Sequence, residues 1–164
     1  VSDFSSNLFP VPVGRSTKLL ILDGDPSLPE AWINQFRSLH IEHVSPGTLV
    51  SQEICRRSPL GQSAELAMQR GTPVPAETVV ALARRWFMAR KPDAGFALTG
   101  GFPATLLQAR ILDEWLDARN ESLDAVIALT PASARGVLAD YYRLHGLPVE
   151  SLDDAPALAP ASRP

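Results

Sequence analysis

Residues 23–31 read Asp-Gly-Asp-Pro-Ser-Leu-Pro-Glu-Ala and follow a short apolar run, Lys18–Leu22. Carboxylates at Asp23 and Asp25 could bind a cation or cap the helix that follows, and capping is the favoured reading; Glu30 adds a third negative charge. The stretch has one glycine, Gly24, and its prolines, Pro26 and Pro29, have no N–H to give a bound anion. A second loop, LTGGFPATLLQA (Leu98–Ala109), also follows an apolar run and contains no charged residue. A strand that ends in such a glycine turn is where an α/β protein holds its ligand. The place for chemistry is there, and the charges are not.

Other reactive side chains read as structural. His40 and His43 stand three apart around an extended segment, so a strand does not put them on one face. His145 sits beside a helix C-terminus, where partial positive charge is favourable. The single cysteine, Cys55, excludes an internal disulfide and a cysteine-rich metal site, and is read as a small buried side chain. Trp32, Trp86 and Trp115 lie on apolar helical stripes and are read as core. Arg56-Arg57 and Arg84-Arg85 are read as solvated helix faces.

The elements that must position the two loops alternate strand and helix. Lys18–Gly24 reads as a buried parallel strand and its loop. Leu28–His40 carries a helical stripe of Ala31, Trp32, Phe36 and Leu39. Ile41–Ser45 is a second strand, and Pro46 opens a helix. Leu60–Gly71 is another helix, with Gly71 past its C-terminus. Pro75–Lys91 starts at a proline, has Glu77 in its first turn and ends in Arg-Lys, each suited to the helix dipole. Gly95–Thr99 is strand three, Thr105–Asn120 an amphipathic helix capped by Thr105, and Asp124–Pro131 strand four. Ser133–Gly146 reads as one helix capped by Ser133, and Leu147–Leu152 as strand five. The pattern predicts an open five-stranded parallel sheet with helices on both faces, spanning residues 18–152. Residues 1–17 read as an N-terminal arm and 153–164 as a Pro/Ala-rich tail.

Composition bounds the function. The chain has 164 residues, 45% of them hydrophobic, with a net charge of −3. That is enough for one domain with a core and is a poor match for a nucleic-acid binder. No apolar run is long enough to span a membrane. Only Lys18 and Lys91 of the 15 basic residues are lysines. With the alanine and proline content, this suggests a GC-rich bacterial genome. Cysteine usage fits a cytoplasmic protein. The chain begins at Val1, so a preceding segment and targeting stay open.

The order of motifs resembles the adenylate kinases, the nucleoside monophosphate kinase branch of the P-loop fold. HVSPGTLV (His43–Val50), SPLGQSAELAMQRGTPVPAETVVALARRWF (Ser58–Phe87), GFALTGGFPATLLQA (Gly95–Ala109) and ADYYRLHGLPVESLD (Ala139–Asp153) carry the resemblance. It implies a P-loop-NTPase-like sheet and an AMP-type nucleotide ligand. It also places Gly47, Thr72, Val74, Gly101 and Gln108 around the nucleobase, with Gln108 at the adenine edge. The bland alternative leaves Gln108 as a solvated helix residue and Gly47 and Gly101 as backbone devices.

The departures are concentrated where the family handles phosphate. The family's glycine-rich, lysine-bearing loop corresponds to residues 23–31, so Asp23, Gly24, Asp25 and Glu30 form a degenerate phosphate loop. Lys18 lies at the other end of the strand. The family's Asp-Gly-Phe-Pro-Arg becomes Thr99-Gly100-Gly101-Phe102-Pro103-Ala104, which argues against Mg²⁺ as a cofactor. Thr48 and Ser51 stand where the family has Asp and Arg, and the lid between strands four and five is absent. Carboxylates facing a polyphosphate would cost several kcal/mol, to order of magnitude. Three functions stay open: a non-catalytic nucleotide-binding domain, a phosphotransferase whose charge comes from Arg37, Arg135 or Arg143, and an interaction module with a protein partner.

Overall fold

A computed structural model of the chain describes residues 14–22 and 28–151. Asp23, Gly24 and Asp25, most of the N-terminal arm and the tail beyond Ser151 lie outside the described residues. Five strands, β1 (Lys18–Leu22), β2 (Glu42–Val44), β3 (Phe96–Leu98), β4 (Ala125–Ala128) and β5 (Val149–Ser151), pair in parallel in the order β2-β3-β1-β4-β5. β1, β3 and β4 are continuous apolar runs because both of their faces are covered.

Strand alternation divides the core. Leu20, Leu22, Val44, Phe96, Leu98 and Val126 face one side, and Leu19, Ile21, Ala97, Ala125 and Ile127 the other. The second side is covered by α1 (Glu30–Ser38) through Trp32 and Phe36. The first side carries α2 (Pro46–Arg56), α3 (Pro59–Gln69), α4 (Ala76–Ala89) and α5 (Leu106–Ala118). Leu82, Phe87, Leu112 and Trp115 supply its centre. Truncating one such buried aromatic costs about 3–5 kcal/mol.

Three sequence expectations are corrected. The segment after β4 is two helices, α6 (Pro131–Ala134) and α7 (Val137–Leu144). Thr130, not Ser133, caps the first: Ser133 N donates to Thr130 Oγ1 (3.0 Å) and Thr130 N donates to Ser133 Oγ (3.1 Å). Pro131 at the first helical position favours that start, and Gly136 interrupts the run. Cys55 is exposed, because the inward residues of α2 are Leu49, Val50 and Glu53. Arg56 and Arg85 are not simply solvated, since both bind the buried Glu53 carboxylate, at 2.9 and 2.5 Å.

Two ion clusters fix the helices. Glu53 also accepts from Ser58 Oγ (2.6 Å) at the α2–α3 corner. That hydrogen bond, with Arg85 and Arg56, holds its carboxyl below its ordinary value against the opposing effect of burial. The α2–α3 corner is tight: a Cβ on Gly61 would sit 2.1 Å from the Glu53 carbonyl oxygen. At the N-terminal end of the sheet, Arg90 does not stay near its helix end as a solvated charge. It is buried, donates to Glu121 (2.6 Å) and lies over the Phe87 and Phe96 rings at 4.3 and 4.8 Å. Lys18, the first residue of β1, is buried there too, 3.9 Å from Glu121.

Candidate nucleotide site

The C-terminal ends of β1, β3 and β4 open onto a cavity of about 540 Å³. Its described lining comes from Leu20–Leu22, Gly100–Ala104, Ala132–Ser133 and Gly136–Leu138. No described residue of that lining carries an ionisable side chain. The charge-free loop singled out in the sequence is therefore one wall of an opening at the ligand-binding edge of the sheet.

The loop is shaped by its backbone. Thr99 is buried, donates its N–H to Val44 O (2.9 Å), and its hydroxyl meets His43 Nε2 at 3.1 Å. Gly100 and Gly101 then take φ of +79° and +110°, a region that favours glycine. A Cβ on Gly100 would lie 3.0 Å from Ser45 Cβ, so the loop presses against the start of α2. Phe102 is buried and stacks on Trp115, with ring centres 5.7 Å apart. The Phe102–Pro103 peptide is cis.

Gln108 closes the loop. It is 9% exposed, and its Oε1 accepts from Ala104 N (2.7 Å), while its own N–H donates to Thr105 Oγ1 (3.2 Å). The backbone donor at Ala104 fixes which end of the amide faces it. Nε2 is left on the other side and makes no hydrogen bond among the described residues.

The other sequence candidates are placed as follows. Gly101 lines the cavity. Gly47 is exposed in the first turn of α2, and an added Cβ would meet only Ser45 Oγ, at 3.8 Å. Packing does not demand a glycine there. Thr72 is exposed and directs both N–H and hydroxyl to Ala67 O. Val74 is half-buried against the main core. Glu30 is exposed at the first residue of α1. Among these, only Gly101 belongs to the described cavity lining.

Two of the three arginines offered by the sequence as replacement cations are engaged elsewhere. Arg37 donates to Asn34 Oδ1 (3.0 Å), and Arg143 is held by Asp140 (3.1 Å) and Ala134 O (2.8 Å). Arg135 is exposed, makes no side-chain bond among the described residues, and stands between two lining segments of the cavity. Thr48, in place of a carboxylate, spends its side chain on a capping box with Ser45. The described donors at the end of β3 do not suit Mg²⁺. Thr99 Oγ1 is engaged by His43, and no described group of three or more His, Cys, Asp or Glu could hold a metal. The two strand-two histidines do not form a site, since His43 bonds Thr99 and packs against Phe36.

Sequence reasoning missed the His43–Thr99 bond and the closure of the loop by Gln108. The first joins residues 56 apart and has no local signature. The second has the i, i+4 spacing of a side chain reaching back over a helix N-terminus, and could have been read.

The adenylate kinase family model matches residues 33–139. An adenylate kinase of Moorella thermoacetica is 43% identical over 97 residues, 58% of this chain and 42% of that one. One from Streptomyces coelicolor is 38% identical over 92 residues, 56% of this chain and 42% of its own length. One from Streptomyces avermitilis is 36% identical over 114 residues, 67% of this chain and 50% of its own length. The chain spans about half the length of the curated relatives it matches.

Proposed function

Because this chain belongs to the adenylate kinase family, we propose that it binds a nucleoside monophosphate, AMP by the relatives' printed names, without transferring a phosphoryl group. The observation that carries this reading is the uncharged described wall of the cavity beside the oriented amide of Gln108. Phosphoryl transfer is catalysed chiefly by positioning and by cations placed where charge develops. Residues 23–31 hold no lysine or arginine and three carboxylates, Asp23, Asp25 and Glu30. β4 joins β5 through residues 129–148, and among the described residues of that connection the short helices α6 and α7 are the cover over the cavity. Backbone N–H groups, the free amide of Gln108 and an apolar wall suit a base and ribose better than a triphosphate.

A second reading is favoured by one observation: Arg135 is a free guanidinium among the described residues, next to the lining segments. An active phosphotransferase would use it as the replacement cation. Calorimetric titration with AMP and with Mg-ATP, followed by a coupled assay for ADP on the same sample, separates the two. AMP binding without Mg-ATP binding or turnover is the expected result. Turnover that disappears in Arg135→Ala would establish the second reading and overturn the first. No binding of either nucleotide would leave the domain as an interaction module.

A further inference from the structure

Within the nucleotide-binding reading above, on which this rests, we propose that the cavity takes its affinity from the base and ribose, so that a free nucleoside binds about as tightly as its 5′-monophosphate. A phosphate monoester carries about two negative charges at neutral pH. Where water is displaced it needs a cation or several unspent N–H or O–H donors. The polar groups of the lining are already spent inside the chain. Ala104 N donates to Gln108 Oε1 (2.7 Å). Ser133, which has a side-chain hydroxyl on the lining, donates its N–H to Thr130 Oγ1 (3.0 Å) and its hydroxyl to Thr130 O (2.9 Å). Gly136 N donates to Ser133 O (3.2 Å).

The charges nearby do not make up the difference. Leu22 lines the cavity, and the sequence continues from it as Asp-Gly-Asp-Pro-Ser, without a cation. The start of α7 borders the cavity with no side-chain cap on Gly136, and a helix start favours negative charge. Asp140 in that first turn already supplies it. Arg135 is exposed and is not among the described lining residues. A phosphate that met it at the mouth would pair in water, which is worth about fivefold in affinity at most. The nucleoside half meets a better surface. Ile21, Phe102, Pro103 and Val137 offer apolar contact. Val137 is 64% exposed, and a base laid against it would take apolar surface out of water.

The test is calorimetric titration of the whole chain with adenosine and with AMP in one buffer of about 150 mM salt. The expected result is dissociation constants that agree within about fivefold, with each ligand displacing the other. Ala104→Arg puts a guanidinium on the wall at an exposed position. It should tighten AMP about tenfold and leave adenosine unchanged. AMP binding more than fivefold tighter than adenosine in the parent would overturn the proposal and leave the nucleotide reading standing. Adenosine binding more than fivefold tighter than AMP would uphold it and replace the monophosphate by the nucleoside as the ligand. Binding of neither would overturn both. An AMP affinity unmoved by Ala104→Arg would also overturn it, since the uncharged wall would then not be what leaves the phosphate unread.

Discussion

Replacing Glu121 with alanine removes the anion on which three cations converge at the N-terminal end of the sheet. Arg90 Nη2 lies 2.6 Å away, Arg119 Nε 3.7 Å and Lys18 Nζ 3.9 Å. The Glu121 side chain is 1% exposed and that of Arg90 5%. Lys18 keeps Asp93 at 3.5 Å and Arg119 keeps three backbone carbonyls, so both retain partners. Arg90 keeps the carbonyls of Lys91 and Ala94 and the faces of the Trp86, Phe87 and Phe96 rings, and no other carboxylate among the described residues. Breaking one partner out of a buried pair costs about 3–5 kcal/mol. Against a total of about 5–15 kcal/mol for a domain, that is about a fifth of the stability or more. With a urea m value of about 2 kcal/mol/M, the midpoint should fall by about 1.5–2.5 M. Urea unfolding followed by far-ultraviolet circular dichroism and tryptophan fluorescence measures it. Glu121→Gln keeps an acceptor for Arg90 and should lose about 1.5–3 kcal/mol. The double variant Arg90→Met, Glu121→Leu should be less destabilised than Glu121→Ala, since no charge is left alone. A loss below about 1 kcal/mol in Glu121→Ala at unchanged m would refute the reasoning.

Three further outcomes follow from the packing. Gly61→Ala should cost about 1–3 kcal/mol, because its Cβ would meet the Glu53 carbonyl at 2.1 Å, whereas Gly71→Ala should cost less, with only its φ of +72° to strain it; paired urea curves rank them. Burial holds the His43 pKa below 6.5, so neutral His43 contributes stability that is present above pH 6.5 and lost as pH falls through its folded-state value; stability measured across that window should vary less in His43→Gln. Thr130→Ala should cost about 1 kcal/mol in thermal or urea unfolding by removing the cap of α6, while Ser133→Ala should cost less, since it leaves the Thr130 side-chain bond in place.

The sheet was legible because β1, β3 and β4 are buried on both faces and so appear as unbroken apolar runs. α5 was legible from its Thr105 cap and apolar stripe. The break between α6 and α7 was not, because Thr130 and Ser133 both suit a cap and only the folded pair shows which faces the free N–H groups. Cys55 was misjudged by residue type where helical phase would have placed it outward. The ion pairs Glu53–Arg85 and Arg90–Glu121 join residues 32 and 31 apart, and nothing local distinguishes these arginines from solvated ones. Of the candidate site, the Leu98–Ala109 loop was read as the place for a ligand, and it does wall the cavity. The bond from Ala104 N to Gln108 Oε1 has a local i, i+4 spacing and was legible, but it was passed over.

The charges of Lys18, Arg90, Arg119 and Glu121 gather at the ends of the strands opposite the cavity. The cavity rim is built from exchangeable small residues such as Ala104, Ala132 and Ser133. The ion cluster and the cavity lining thus draw on separate sets of residues at opposite poles. A lineage built this way can rewrite what the mouth recognises, one rim residue at a time, while the anchoring pole goes on folding the chain.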